Sequence, residues 1–353
     1  MSGSNEAILF DLVQAHDLYK ALLGPVEGLI HGKRNLLVVP SGPMTGLPMH
    51  LLVTEQPSVA VPDHANLVPY RDAAWLLKRH AVAVLPSVAS LKVMRSSTRQ
   101  ASASKPLVGF GDPVFQKGAP PQQTASRKFG AKTRGYSDYW RGSEIDRDAL
   151  AHGLVALPET ADELKSVAAN VGTPASDLYL GQRASEKTIK ILPLADYRVV
   201  YFATHALVAG AIKGLGEPAL ALTLPAKPSA DDDGLFTASE VAELKLNADW
   251  VVLSACNTAA GDTPGAEALS GLARAFFYAG ARALLVSHWA VASDSATHLM
   301  TSTFEIMKSD PSVGRAEALR RAMSDYLSDT SNPWNAHPAF WGPFSLVGEG
   351  ASQ

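Results

Sequence analysis

Short apolar, β-branched runs recur along the chain, and most end in small residues. They are Leu36-Leu37-Val38-Val39-Pro40, Ala81-Val82-Ala83-Val84-Leu85, Pro106-Leu107-Val108-Gly109, Val199-Val200-Tyr201-Phe202-Ala203, Trp250-Val251-Val252-Leu253-Ser254 and Ala283-Leu284-Leu285-Val286. Unbroken apolar runs of this kind, without polar alternation, predict strands covered on both faces, as in parallel sheets. Between them the spacing changes to that of helices. Leu12, Ala15, Tyr19 and Leu22 share a face that Gly24-Pro25 brings to an end. Leu269, Leu272, Ala273 and Phe276 form a second face, opened after Thr263-Pro264 and closed at Gly280. Ala296, Leu299, Met300 and Phe304 form a third. Strands alternating with helices predict an α/β fold with right-handed crossovers.

From Gly111 to His152 the periodicity fails. Gly118-Ala119-Pro120-Pro121-Gln122-Gln123 lies there among scattered lysines and arginines. A stretch of that length without its own pattern reads as a functional loop or a linker. It divides the chain into an N-terminal lobe at 1–110, a linker at 111–152, a connecting helical region at 153–177 and a C-terminal lobe at 178–353. A shorter loop, Pro225 to Gly234, carries Asp231-Asp232-Asp233. It lacks the alternating ligands and terminal Glu of a calcium loop and is expected to be a solvated face.

Composition narrows the function classes. The 353 residues are 46% hydrophobic and 18% charged, enough for a sizeable core. The net charge of −3 comes from 31 basic and 34 acidic residues. That balance argues against a nucleic-acid face or a membrane-surface patch. No apolar run approaches the roughly eighteen residues a membrane helix needs. The start, Met1 to Glu6, is polar and small with no export pattern, so a cytoplasmic protein is expected. The glycines, Gly42 and Gly46 among them, make no phosphate-cradling motif, and no cofactor or metal is expected. With a single cysteine, Cys256, internal disulfides and cysteine-based zinc sites are excluded.

That cysteine also opens the chemistry. In open parallel α/β sheets, ligands bind beyond the carboxyl ends of the strands. His205 follows the run that ends at Ala203, and Cys256 follows the run that ends at Ser254. If those strands are neighbours, both side chains emerge at one edge. An imidazole there would raise the thiolate population at neutral pH and later supply a proton to a leaving amine. Taken alone, a cysteine beside an apolar strand is more readily a packed hydrophobe, and a lone histidine more readily structural. The pairing changes that weighting. His205 precedes Cys256 by 51 residues, close to the roughly 50 that separate the pair in caspases. Ser254, Ala255 and Gly261 leave room for a substrate and for free backbone N–H donors.

The chain resembles the CHAT family of caspase-like peptidases, often found behind tetratricopeptide repeats and related to caspases, separases and gingipains. In the N-terminal half the matching residues are Leu36 to Gly42 with Leu47-Pro48, then Gly111-Asp112-Pro113 and Leu157-Pro158 through Glu163. Phe202-Ala203-Thr204-His205 and Asp233 to Glu240 follow. The most specific match is Val251-Val252-Leu253-Ser254-Ala255-Cys256-Asn257-Thr258, with Gly265-Ala266-Glu267 and Gly271 to Phe276 behind it. Ser287-His288-Trp289-Ala290-Val291, His337-Pro338 and Trp341 to Phe344 complete the pattern.

The resemblance implies a caspase-like three-layer α/β/α fold with a mostly parallel sheet, in two lobes, the N-terminal one degenerate and the C-terminal one active. It implies Cys256 as nucleophile and His205 as general base or acid. The oxyanion hole would be the backbone N–H groups of Cys256 and Ala206. Ala206 stands where much of the family has Gly, which is compatible if its backbone dihedrals are ordinary. Relatives that prefer Lys or Arg before the scissile bond carry an acid just after the Trp-x-Val segment. Here that stretch reads Trp289-Ala290-Val291-Ala292-Ser293-Asp294, with Ala292 and Ser293 where many relatives carry Asp. Asp294 has two readings, a pocket acid or the N-cap of the following helix, with the balance towards the cap. Ser293, Asp294 and His288 are the candidate pocket residues, although His288 also suits a satisfied core position. Glu267 suits the start of the helix behind the catalytic loop. Trp289, Trp334 and Trp341 are expected to pack the sheet edge. The implied partners are a protein substrate and a tetratricopeptide-type or other sensor, on a separate chain or preceding Met1 in a longer one. The loop with Arg127-Lys128 and Lys132 suits self-cleavage or regulation. A non-catalytic interaction module is the alternative reading, since folds outlive their chemistry.

Overall fold

A computed structural model describes residues 9–90, 103–115, 154–209, 215–229, 231–255, 271–289 and 291–350, with the backbone of two short strands between 140 and 145. Cys256, Gly261, Glu267, Leu269, Ala290 and most of the 111–152 linker, with its Arg127-Lys128 and Lys132, lie outside the described residues. In chain order the strands begin with β1 (Asn35–Val38), β2 (Ala81–Val84), β3 (Lys105–Gly111), β4 (Trp140–Arg141) and β5 (Glu144–Ile145). Next come β6 (Leu178–Leu180), β7 (Tyr197–Ala203), β8 (His205–Leu207), β9 (Ala219–Ala221) and β10 (Leu235–Thr237). The last are β11 (Trp250–Ser254), β12 (Ala283–Ser287) and β13 (Phe344–Gly348). The helices that frame the site are α1 (Leu12–Leu22), α2 (Glu159–Val171), α3 (Gly271–Tyr278), α4 (Ser293–Ser309) and α5 (Arg315–Ser328).

Eight strands form one sheet in the order β1-β2-β13-β12-β11-β7-β3-β6. Every pairing in it is parallel except β12 with β13, which is antiparallel. The sheet is therefore two blocks of opposite direction joined at that pair. β3 is bonded between β7 and β6, inside the block that carries the later strands. The boundary drawn at 110 from the sequence puts that strand with the N-terminal lobe. Its pairing is set instead by the run Lys105 to Gly111 matching Tyr197 to Ala203 in register.

Alternate residues of the central strands go to opposite faces, which makes three layers. Tyr201, Ala203, Trp250, Val252 and Leu285 pack with Leu164, Leu299, Phe304 and Met323 of α2, α4 and α5. Val200, Phe202, Val251, Leu253 and Leu284 pack with Leu272 and Phe276 of α3 on the other side. Every residue of β11, β12 and β13 is buried, as strands covered on both faces require. α1 starts at its cap: the Asp11 carboxylate accepts from the Val13 and Gln14 N–H groups, both at 2.9 Å. Glycine decides how closely α2 lies on β3. A Cβ on Gly109 or Gly111 would come within 2.8 or 2.6 Å of a Leu164 methyl.

The loop from Pro225 to Gly234 is exposed at 226–229 and at Asp231, as expected, but is anchored at its end. Glu186, buried, accepts the N–H of Asp233 at 2.9 Å and that of Gly234. Lys190 spans Glu186 and Glu240 at 3.1 and 2.7 Å and reaches the Asp231 carbonyl. Of the three aspartates Asp231 is exposed, and Asp232 and Asp233 are half-buried. The run is anchored because its backbone donors found a buried carboxylate.

Candidate active site

β7 and β11 are neighbours in register, with Ala203 opposite Ser254. Both strands end at the same edge, and the chain beyond each end carries the candidate chemistry. His205 opens β8, an edge strand of a small antiparallel sheet ordered β10-β9-β8. Its side chain is buried, and Nε2 lies 2.7 Å from the Val155 carbonyl oxygen. A carbonyl only accepts, so Nε2 carries the hydrogen, and in the neutral ring Nδ1 is the basic nitrogen. Phe115 lies against the ring at 5.6 Å between centroids. The preceding Thr204 hydroxyl donates to the Ala221 carbonyl, which fixes the turn into β8.

Ala206 sits within β8 opposite Leu220. Among the described residues Asp112 is the single non-glycine with positive φ, at 49°, so Ala206 has ordinary backbone dihedrals. A methyl group at that position carries no strain. Ala255, the last residue described before Cys256, is held by its carbonyl, which accepts from the buried Ser287 hydroxyl at the end of β12.

A cleft lies over this edge, lined among others by His205, Ser254, Ala255, Ser293, Val291 and Phe344. Glu159, Thr160 and Glu163 of α2 form its other wall. Glu163 is 1% exposed. Tyr201 donates to Oε1 at 2.5 Å and Thr297 to Oε2 at 3.2 Å, and the Ser254 hydroxyl also hydrogen-bonds the carboxyl. Burial pushes the carboxyl up from its ordinary range and the three hydroxyls oppose that shift. Tyr201 is pushed well up, first by its own burial and then by the charge of Glu163.

The sequence candidates therefore separate. Ser293, first residue of α4, shares the cleft with His205. Asp294 is exposed, is not among the cleft-lining residues, and lies in the first turn of α4. The N-cap is Ala292, so the expectation that Asp294 caps this helix gives way to the second helical position, within the first turn, where its charge suits the helix dipole. His288 is behind the rim. Its Nε2 is 2.9 Å from the Ser345 hydroxyl, and its N–H donates to Pro343 at 2.9 Å. Burial, reinforced by His50, lowers its pKa to about 4. Trp341 is fully buried, edge-on to Trp75 at 5.2 Å, and the Trp289 indole donates to the Ala339 carbonyl at 3.1 Å.

Glu163 received no role from the sequence, although its segment belongs to the matching motifs. A signal was there: Thr160, Ala161, Leu164, Val167 and Ala168 form the buried stripe of α2, and Glu163 lies within that stripe. An acid on the apolar face of a helix calls for a partner or a task. Asp112 was likewise part of a motif. It stands at the end of β3, its N–H donated to the Thr160 hydroxyl at 2.8 Å, and burial pushes its carboxyl up, aided by Glu159.

Among known proteins, mouse (Mus musculus) tetratricopeptide repeat protein 28 is 28% identical over 203 residues, covering 48% of this chain and 8% of that protein. The chain thus spans a small fraction of the length of that relative. Two solved structures are similar at low identity. One is the Saccharomyces cerevisiae separase–securin complex, 12% identical with a TM-score of 0.45, over 81% of this chain and 15% of that one. The other is the Arg-specific cysteine proteinase gingipain R, 11% identical with a TM-score of 0.46, over 94% of this chain and 68% of that one. The CHAT domain family model matches residues 13–349. With nearly its whole length matched, the chain belongs to the CHAT domain family.

Proposed function

We propose that the chain is a cysteine endopeptidase in which Cys256 is the nucleophile and His205 its acid–base partner. The observation that carries this reading is the register of β7 with β11. Ala203 is opposite Ser254, and His205 and Cys256 each follow those residues by two positions. Two residues reach at most about 7 Å, so the imidazole and the thiol are kept to one stretch of the sheet edge. The buried His205 with its hydrogen on Nε2 supports Nδ1 as the proton acceptor from the thiol.

The chemistry follows from those groups. The Cys256 thiolate attacks the peptide carbonyl carbon, and the oxygen gathers negative charge facing the backbone N–H groups of Cys256 and Ala206. His205, now imidazolium, gives its proton to the departing amine as the C–N bond breaks, leaving a thioester. Water then attacks the thioester while His205 takes its proton, and the thiol is restored. Similarity to a tetratricopeptide repeat protein supports control by a sensor of that type, on the same chain or another. Full cleavage by the isolated chain, with nothing added, would count against that control.

Purified protein mixed with a peptide library, beside Cys256→Ala, tests the reading. The account expects cleavage by the wild type and a loss of at least about a thousandfold in the variant. Equal cleavage by the variant would remove the assignment. Alkylation of Cys256 that is slow and indifferent to His205 would favour a non-catalytic interaction module instead.

A further inference from the structure

We propose that Ser287 is a positioning residue for the oxyanion hole. Its hydroxyl holds the peptide unit between Ala255 and Cys256 so that the N–H of that unit faces the carbonyl under attack. This role presupposes the peptidase reading above and says how one of the two oxyanion donors is aimed. Ser287 closes β12, is fully buried, and donates its hydroxyl hydrogen to the Ala255 carbonyl oxygen. The carbonyl of residue 255 and the N–H of residue 256 belong to one peptide group, planar and trans, so they point in opposite directions across the chain. Fixing the oxygen therefore fixes the direction in which the N–H donates.

The sheet order supplies that direction. β11 lies between β12 and β7. Ser287 draws the Ala255 oxygen to the β12 side, which sends the N–H towards the β7 side. There β7 leads into His205 and Ala206, whose N–H is the other donor. Two donors serve one oxyanion only if both converge to about 3 Å from it. The pair Ser254–Ala203 is the last of the ladder between β11 and β7, so another bond must set the next peptide plane. Ser287 is well placed to do so, because its own strand is held beyond the point where β11 ends. It pairs with Phe344 of β13, and the next residue, His288, donates its N–H to the Pro343 carbonyl at 2.9 Å. Ala255 lines the cleft and Ser287 does not. The hydroxyl therefore acts through the peptide plane and not on the substrate. A buried carbonyl needs a partner in any fold, so the test must separate aiming the N–H from mere support.

Two small reagents that need no recognised side chain make that separation. With p-nitrophenyl acetate the Cys256 thiolate attacks the acetyl carbon and the carbonyl oxygen takes the negative charge. The C–O bond to nitrophenolate then breaks, leaving a thioester. Iodoacetamide reacts with the same sulfur by losing iodide from its methylene carbon, with no oxyanion formed, and so reports thiolate and access alone. Cys256 is the single cysteine, and the mass of its peptide reads both adducts. The ratio of acylation to alkylation should be at least about tenfold higher in the wild type than in N-acetylcysteine. Ser287→Ala should lower that ratio about tenfold, with the alkylation rate kept within about twofold. Ser287→Thr keeps the hydroxyl and should keep the ratio, while Ser287→Val, its match in shape, should lose it. That pair decides even if Ser287→Ala does not fold. An unchanged ratio in Ser287→Ala, or equal ratios in the Thr and Val variants, overturns the role of Ser287 and leaves the peptidase reading standing. Both rates falling together would make Ser287 a support of the thiol itself and would overturn it as well. A wild-type ratio no higher than that of N-acetylcysteine would mean that no oxyanion hole forms, and the peptidase reading would fail with it.

Discussion

Behind the rim, burial lowers the imidazoles of His50 and His288 to about 4, and the charge of His50 adds to the shift at His288. His50 is held through Nε2, 3.0 Å from the Gly342 carbonyl, an arrangement that needs a hydrogen on that nitrogen but no charge. In the unfolded chain these histidines titrate near 6.5. Between about 6.5 and 4 the unfolded state therefore binds protons that the native state refuses, and stability falls as pH falls. The slope is at most about 1.4 kcal/mol per pH unit for each histidine. Glu186, pushed up to about 7 by burial, works in the opposite direction over part of that window. A difference between proteins is thus the clean measure. Urea titrations from pH 7 to 4.5 should show a smaller pH slope for His50→Gln, whose amide can still donate to Gly342. Equal slopes would mean that His50 is charged in the folded protein.

The approach of α2 to β3 sets where Glu163 stands, and it depends on glycine. Gly111→Ala would drive a methyl group onto Leu164 and towards the Thr160 hydroxyl, at 2.6 and 3.3 Å. Such overpacking costs about 1–3 kcal/mol and should shift the helix that carries Glu163. Urea denaturation at one pH measures it, and an unchanged midpoint would mean that α2 is free to move away. At this scale the sequence was most informative where burial on both faces left no polar residue in a run. The runs at 250–254 and 283–286 match β11 and β12 to within one residue. Strands of three residues, β6 and β8 to β10, carry too few positions to show a period. β13 reads Phe344-Ser345-Leu346-Val347-Gly348, and its buried Ser345, partnered by His288, interrupts the apolar pattern. The position of His205 was legible from the strand end at Ala203, whereas Ser293 was a candidate only through the resemblance. The role of the α2 wall was not legible, because it depends on a close helix approach that no local pattern encodes.

Across the molecule, β13 is the piece that makes one sheet of two blocks. It pairs antiparallel with β12 from Ala283 to Ser287 and parallel with β2 at Ala83 and Val84. The same pairing brings Phe344 beside Ser287, at the edge where the cleft lies. A continuous sheet with a shared core predicts coincident urea transitions by far-ultraviolet circular dichroism and by tryptophan fluorescence. Two separated midpoints would mean that the blocks unfold independently. The same sheet presents the ends of β7 and β11 at one edge, and the functional reading depends on what meets there. The alkylation rate of Cys256 by iodoacetamide, followed from pH 5 to 9 in the wild type and in His205→Asn, measures that meeting. The account predicts a wild-type thiol that reacts well below pH 7, and a variant whose rate rises only near the ordinary thiol range of about 8.5. Superimposable profiles for the two proteins, both rising near 8.5, would contradict it.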